Sequence, residues 1–339
     1  MDISKDDSKM LKGAAILSLL MLHLFCRKAD LPYTPLLWIG KTPLVYYLGL
    51  FGDICVAIFC FISGYAHYRQ SSLGIKSRER YLHLLRFFIT FWVIAGFFSI
   101  LGLLTHNPTI PGNLREFLLN CLTVKTSYNG AWWYANTYLL FVLLQPLSYR
   151  FVKKCPLWLV LTFGFVFYTA GYGIRFWGWG AVDKPVLSWS IAHVGLLGTS
   201  YFPYVVGMLF CKKQIISMIR RALSSFRHVY IWEVIIFAGM IVMHGIVQSL
   251  YVAVITAIVT VCLLCACPMP KRLYAVLGYL GNHSANIWLT HMFFYLQLFD
   301  GLVFAAKYPI PIFLLLLLLS LASSYAIDLL CKPILKLVR

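Results

Sequence analysis

The first apolar stretch of the chain carries two side chains that can do chemistry, Lys12 and His23. Eleven residues of α-helix separate them by about 16 Å along the axis and return both side chains to nearly the same face. An ammonium group binds anions, whereas a neutral imidazole takes a proton from a hydroxyl as a general base. The pair therefore predicts an anion-binding end and a chemical end on one helix. The structural alternative is a lysine that reaches the membrane surface and an interfacial histidine.

Three further polar residues lie in apolar segments, where polar groups are rare and often functional. Asp53 is predicted near the level of His23, where its carboxylate would hold the imidazole in one tautomer. Ser63 lies in "FISGY", although a Ser-Gly pair also favours close packing of helices. His291 lies in "NHSANIWLTHMFF", where a buried packing role is the alternative.

The basic segment "RQSSLGIKSRERYLHLLR" carries Arg78, Arg80 and Arg86. We expect a helix to present these three guanidinium groups toward one phosphate-binding site at the inner side of the membrane. The alternative is topological, because the inner loops of membrane proteins are rich in Lys and Arg whatever their function.

The composition decides which elements position these residues. Of the 339 residues, 61% are hydrophobic and 12% are charged, with a mean hydropathy of +0.80, which excludes a soluble globular protein. Continuous apolar runs predict an all-α polytopic membrane protein, a single transmembrane domain over residues 1–339. We predict about ten spans, at 10–26, 46–68, 84–105, 131–150, 156–177, 199–211, 229–247, 250–267, 284–300 and 309–331.

The distribution of positive charge predicts the topology. With the N-terminus inside, 21 of the 29 Lys and Arg residues fall in inner segments, so both termini are predicted to be cytoplasmic. The net charge of +18 is then mostly topological and does not indicate nucleic acid. The ten cysteines mostly fall inside spans, and no complete zinc-ligand set accompanies them, so no metal is predicted.

Four segments, in order, resemble the acyltransferase-3 family of integral membrane O-acyltransferases, in its stand-alone form without a fused esterase-like domain. The first is "KGAAILSLLMLH", in which a basic residue is followed after ten residues by a histidine. The others are "GDICVAIFCFISGY", the Trp-Tyr segment "AWWYANTYLLFVLLQPL" and the late segment "LGYLGNHSANIWLTH". The third span departs from the family pattern, because His83 and Ile89 stand where arginine and proline are usual.

This resemblance implies a bacterial cytoplasmic-membrane enzyme that moves an acetyl group from cytoplasmic acetyl-CoA to a hydroxyl of an envelope polysaccharide or lipid-linked sugar. Lys12, Arg78, Arg80, Arg86 and Ser63 would bind the donor. His23 would act as general base, oriented by Asp53, by direct transfer or through an acylated histidine. Trp133, Tyr134, Asn286 and His291 are candidates for contacts to the acceptor or the oxyanion.

Two other functions fit the composition. A polysaccharide or lipid-linked-sugar exporter would also have many spans, but we find no internal repeat or matching interrupted helices. A non-catalytic partner in envelope assembly would keep the topology but has no need of paired Lys12 and His23. The sequence indicates neither the sugar nor the oligomeric state.

Overall fold

The computed structural model describes residues 2–224, 226 and 228–338; Arg227 and Arg339, counted above as inner charges, lie outside the described residues. The helices are α1 (Lys5–Phe25), α2 (Leu44–Phe51), α3 (Ile54–Ser72), α4 (Ser77–Leu104), α5 (Leu114–Cys121), α6 (Trp133–Lys154), α7 (Leu157–Phe176), α8 (Pro185–Lys213), α9 (Ile215–Leu223), α10 (Val229–Ile246), α11 (Leu250–Ala266), α12 (Lys271–Met292), α13 (Asp300–Phe304) and α14 (Pro309–Lys336). Strands β1 (Trp38–Ile39) and β2 (Thr42–Pro43) form a small antiparallel hairpin. A 3-10 turn (Gly130–Trp132) precedes α6, and a π turn (Phe293–Gln297) follows α12.

Long apolar helices dominate the fold. In the described chain, seven stretches are long and apolar enough to cross a membrane, one of them formed by α2 and α3 together. The apolar helix α11 is shorter, with 17 residues, whereas α6 and α12 have 22 residues each but do not meet the same criterion. The all-α polytopic membrane fold is thus confirmed. The count of ten spans and the cytoplasmic termini stay predictions.

Helix boundaries differ from the sequence prediction at several places, and three of these lie in helices that line the cavity. The second predicted span is interrupted at Gly52 and Asp53, between α2 and α3. Helix α8 begins at Pro185 rather than at 199, since proline fits the first turn of a helix and the following residues continue it. Helix α12 begins at Lys271 rather than at 284. Leu277 and Gly281 in its first half pack against the backbone of α1, and a hydropathy pattern does not reveal this.

Close approach of backbones holds together the two helix pairs that build the site. Helix α1 packs along α12, and a Cβ on Gly281 would lie 1.8 Å from the carbonyl oxygen of Lys9. Helix α3 packs along α8, and a Cβ on Gly64 would lie 1.8 Å from the carbonyl oxygen of Tyr204. Small residues permit such contacts between membrane helices. The close-packing interpretation of the Ser-Gly pair therefore holds for Gly64.

Candidate active site

A cavity of about 380 Å³ lies between the helices, within the size range of small-molecule sites. Lys12 and His23 both line it, so it extends along the roughly 16 Å of α1 that separates them. Among the other lining residues are Asp53, Ser63, Phe87, Trp133, Tyr134, Tyr138, Tyr168, Arg175, Thr199, Ser200, Ser284 and Trp288. The lining therefore combines aromatic rings with few ionisable groups.

One end of the cavity is built from helix ends. His23 lies two residues before the end of α1, and Asp53 immediately precedes α3. Trp133 opens α6, and Arg175 is the penultimate residue of α7. Because these helix ends border one cavity, the groups able to do chemistry gather there, whereas Lys12 lies about three turns away along α1.

His23 is held by a second histidine. Its Nδ1 lies 3.0 Å from Nε2 of His291 and 3.4 Å from the hydroxyl of Tyr295. His291 Nδ1 lies 2.8 Å from the carbonyl oxygen of Trp288 and 3.2 Å from that of Ile287. His291 is completely buried and does not line the cavity, whereas His23 does.

This network fixes the tautomers of both rings. A carbonyl oxygen only accepts, so His291 Nδ1 carries the proton and its Nε2 presents a lone pair. His23 Nδ1 must then donate to that lone pair, which leaves Nε2 of His23 unprotonated. The opposite polarity would require a doubly protonated, charged His291 in a fully buried position. His23 Nε2 is therefore the nitrogen left for a ligand, in the form that a general base needs.

Lys12 brings a positive charge to the other part of the cavity. Its ammonium group makes no hydrogen bond or ion pair with any residue that the structure describes. An ammonium group removed from water needs a counter-charge, because an unpaired buried charge is costly. An anionic or strongly polar group of a ligand would satisfy this requirement.

Tyr134 and Ser63 differ in what they offer a ligand. The hydroxyl of Tyr134 is buried without a hydrogen-bond partner; its polar neighbours Cys60 and Ser63 are not in hydrogen-bonding geometry. The hydroxyl of Ser63 donates to the carbonyl oxygen of Phe59 at 2.8 Å. Tyr134 thus carries an unused O–H donor at the wall of the cavity, whereas Ser63 retains mainly acceptor capacity.

The predicted inner arginine cluster does not form. Arg78 is exposed, Arg80 donates to Ser77 at 2.6 Å and contacts Ser71 at 3.5 Å, and neither lines the cavity. Arg86 donates twice to the carbonyl oxygen of Val338, at 3.0 and 3.2 Å, and so ties α4 to the segment after α14. Helix geometry explains the dispersal, because residues 78 and 80 are about 200° apart around one helix.

Two other predicted contacts are also replaced. Asp53 does not hydrogen-bond to His23; it lines the cavity together with the oppositely charged Arg175. Asn286 donates to Asp328 at 2.8 Å and to Ser324 at 3.0 Å, so it joins α12 to α14 outside the cavity. Its position on α12 faces another helix, and a linear sequence does not show which face meets which neighbour.

Sequence reasoning missed Arg175 and the role of His291 behind His23. Arg175 is an ionisable residue within the last turn of an apolar helix, and that position was an available signal. The contact between residues 23 and 291 joins α1 to α12, and no local pattern predicts it. Among the described residues, no three His, Cys, Asp or Glu side chains form a metal-binding group.

The fold and the cavity define a multi-pass membrane protein with an internal cavity between its helices. A family model described as an acyltransferase domain matches residues 7–329 of the 339. The chain belongs to the acyltransferase-3 family and is a membrane acyltransferase. No curated protein and no solved structure matches it significantly. Family membership favours the transferase prediction over the exporter and the non-catalytic partner.

Proposed function

We propose that the protein transfers an acetyl group from cytoplasmic acetyl-CoA to a hydroxyl of an envelope polysaccharide or lipid-linked sugar, in the bacterial cytoplasmic membrane. One observation supports this most: Lys12 and His23 line a single cavity and are separated by about 16 Å along α1. A donor that carries its charge at one end and its reactive thioester at the other fits such a spacing.

Lys12 is the donor-binding cation in this proposal. It is the unpaired ammonium group of the cavity, whereas Arg78, Arg80 and Arg86 lie elsewhere. The phosphates and the polar pantetheine arm of coenzyme A offer anionic and carbonyl oxygens that an ammonium group binds. The donor would enter from the side of Lys12 and direct its thioester toward His23.

The chemical step uses His23 as general base. Its Nε2 removes the proton of the acceptor hydroxyl while the oxygen attacks the thioester carbonyl. The resulting tetrahedral oxyanion collapses, the carbon–sulfur bond breaks, and the coenzyme thiolate takes the proton back from His23. His291 positions the ring, and its Nε2 accepts the hydrogen bond from Nδ1–H of His23 throughout, while the unpartnered hydroxyl of Tyr134 would donate to the oxyanion.

The test combines the cell with the purified protein. Envelope glycans are compared by mass spectrometry between cells that carry the gene and cells that lack it. Glycans from cells without the gene should lack the mass increment of one acetyl ester. Complementation with His23→Ala should not restore the ester, although the purified variant should still bind acetyl-CoA. His106→Asn is the matched control, because His106 is an exposed loop residue in a left-handed conformation that asparagine tolerates. If the His23→Ala variant restored the ester, His23 would not be the general base of the reaction.

A further inference from the structure

The cavity end beside His23 contains a pair of opposite charges with no assigned role. Asp53 and Arg175 both line the cavity, on α3 and α7 respectively, and each feels the charge of the other. No ion pair within 4.0 Å joins them in the described chain. The two groups therefore face a common space and do not neutralise each other by direct contact.

Arg175 is fixed in place by its neighbours. Its Nη1 donates to Oγ1 of Thr199 at 2.8 Å, and its guanidinium carbon lies 5.7 Å from the ring centre of Trp133 and 5.1 Å from that of Phe176. Such contacts orient the planar guanidinium group. An arginine has five N–H donors, and Thr199 accepts only one bond, so several remain for a ligand.

Asp53 has no structural task that explains it. It directly precedes α3, but its side chain does not cap the helix. Its carboxylate oxygens make no hydrogen bond with the residues described, and they are not among the buried, unpartnered oxygens either. A carboxylate that borders the cavity in this way is free to accept hydrogen bonds from a ligand.

We propose, on the basis of the transferase function proposed above, that Asp53, Arg175 and Trp133 form the acceptor subsite and select an uncharged sugar with neighbouring hydroxyls. One hydroxyl donates to Asp53, an adjacent hydroxyl accepts from Arg175, and the ring of Trp133 packs on the apolar face of the sugar. His23 Nε2 then meets the hydroxyl to be acetylated.

The charge balance favours a neutral acceptor over an acidic one. With His23 neutral, Asp53 and Arg175 sum to zero net charge at this end of the cavity. A uronate or a sugar phosphate would be attracted by Arg175 but repelled by Asp53, and its presence would leave the aspartate without a partner. A neutral diol satisfies both groups at once.

The experiment identifies the acetylated sugar. Envelope glycans from cells that carry the wild-type gene are digested, and the ester-bearing monosaccharide is identified by tandem mass spectrometry. The expected result is a neutral sugar that keeps two neighbouring free hydroxyls besides the ester. An ester confined to a uronate, another acidic sugar or a phosphorylated sugar would overturn the inference and leave the proposed transferase intact. Absence of any gene-dependent ester would refute both.

Variants then test the residues. Arg175→Gln and Asp53→Asn should each lower the ester content roughly tenfold to hundredfold, with Arg175→Lys in between, because a charged hydrogen-bond partner is lost. Arg115→Gln, which alters an exposed arginine of α5, is the control and should leave the ester content unchanged. Each purified variant must still gain thermal stability from acetyl-CoA, which shows that it is folded and binds the donor. Wild-type ester content in folded Arg175→Gln and Asp53→Asn would overturn the assignment.

Discussion

Replacement of His291 by leucine tests how the base is held. The leucine removes the acceptor that lies 3.0 Å from Nδ1 of His23, and the hydroxyl of Tyr295, at 3.4 Å, is the remaining polar neighbour. The His23 ring then loses the contact that fixes its tautomer, so a fraction of it presents a protonated Nε2 to the acceptor. A base in that form cannot take up a proton.

The size of the effect follows from the lost hydrogen bond. An unsatisfied partner in a buried site costs about 1–3 kcal/mol, and each ~1.4 kcal/mol corresponds to a factor of ten. We therefore expect kcat to fall roughly fivefold to 150-fold in His291→Leu. The KM for acetyl-CoA should change little, because Lys12 lies about 16 Å from the altered contact along α1.

His291→Gln is the matched variant, since a glutamine side chain can place an amide oxygen near the position of Nε2 and accept the same proton. It should restore most of kcat. The assay measures transfer of radiolabelled acetyl from acetyl-CoA to isolated envelope glycan by the purified protein in detergent. If folded His291→Leu turns over within twofold of the wild type, the histidine pair does not position the base.

Three other changes probe the donor site, the oxyanion and the packing. Lys12→Met should raise the Kd for acetyl-CoA in calorimetry roughly tenfold to hundredfold, because an unpaired ammonium group is removed. An unchanged Kd would mean that Lys12 only sets the orientation of the chain in the membrane and does not bind the donor. Tyr134→Phe should lower kcat roughly 10²-fold without loss of thermal stability, since the lost hydroxyl has no internal partner; an unchanged kcat would exclude Tyr134 as the donor. Gly281→Ala should lower the free energy of unfolding by about 1–3 kcal/mol, because the new Cβ meets the backbone of Lys9. Gly278→Ala is its control, with nothing within 4 Å of the added carbon, and equal melting temperatures for both variants would refute the close contact of α1 and α12.

The sequence was sufficient where one helix sets the geometry. Lys12 and His23 lie on α1, and a fixed rise and rotation per residue place them on one face at a known separation. The apolar runs likewise predicted most long helices, because a membrane requires helical backbone. The family resemblance is confirmed by the match over residues 7–329.

The sequence was insufficient where two helices must meet. The pairing of His23 with His291 depends on the approach of α1 to α12 at Gly281, which joins residues far apart in the chain. Asn286 lies on the same helix but faces α14, and Arg86 bonds to the backbone of Val338. Which neighbour a helix face meets is a property of the packed bundle, so the roles of these residues required the structure.

The most direct measurement is a cryo-electron microscopy structure of the protein with a non-transferable thioether analogue of acetyl-CoA. We expect density for the pantetheine arm inside the cavity, with the ammonium group of Lys12 in contact with the coenzyme and the acetyl group beside Nε2 of His23. Coenzyme density confined to another surface, with no ligand between Lys12 and His23 at saturating analogue, would contradict this expectation.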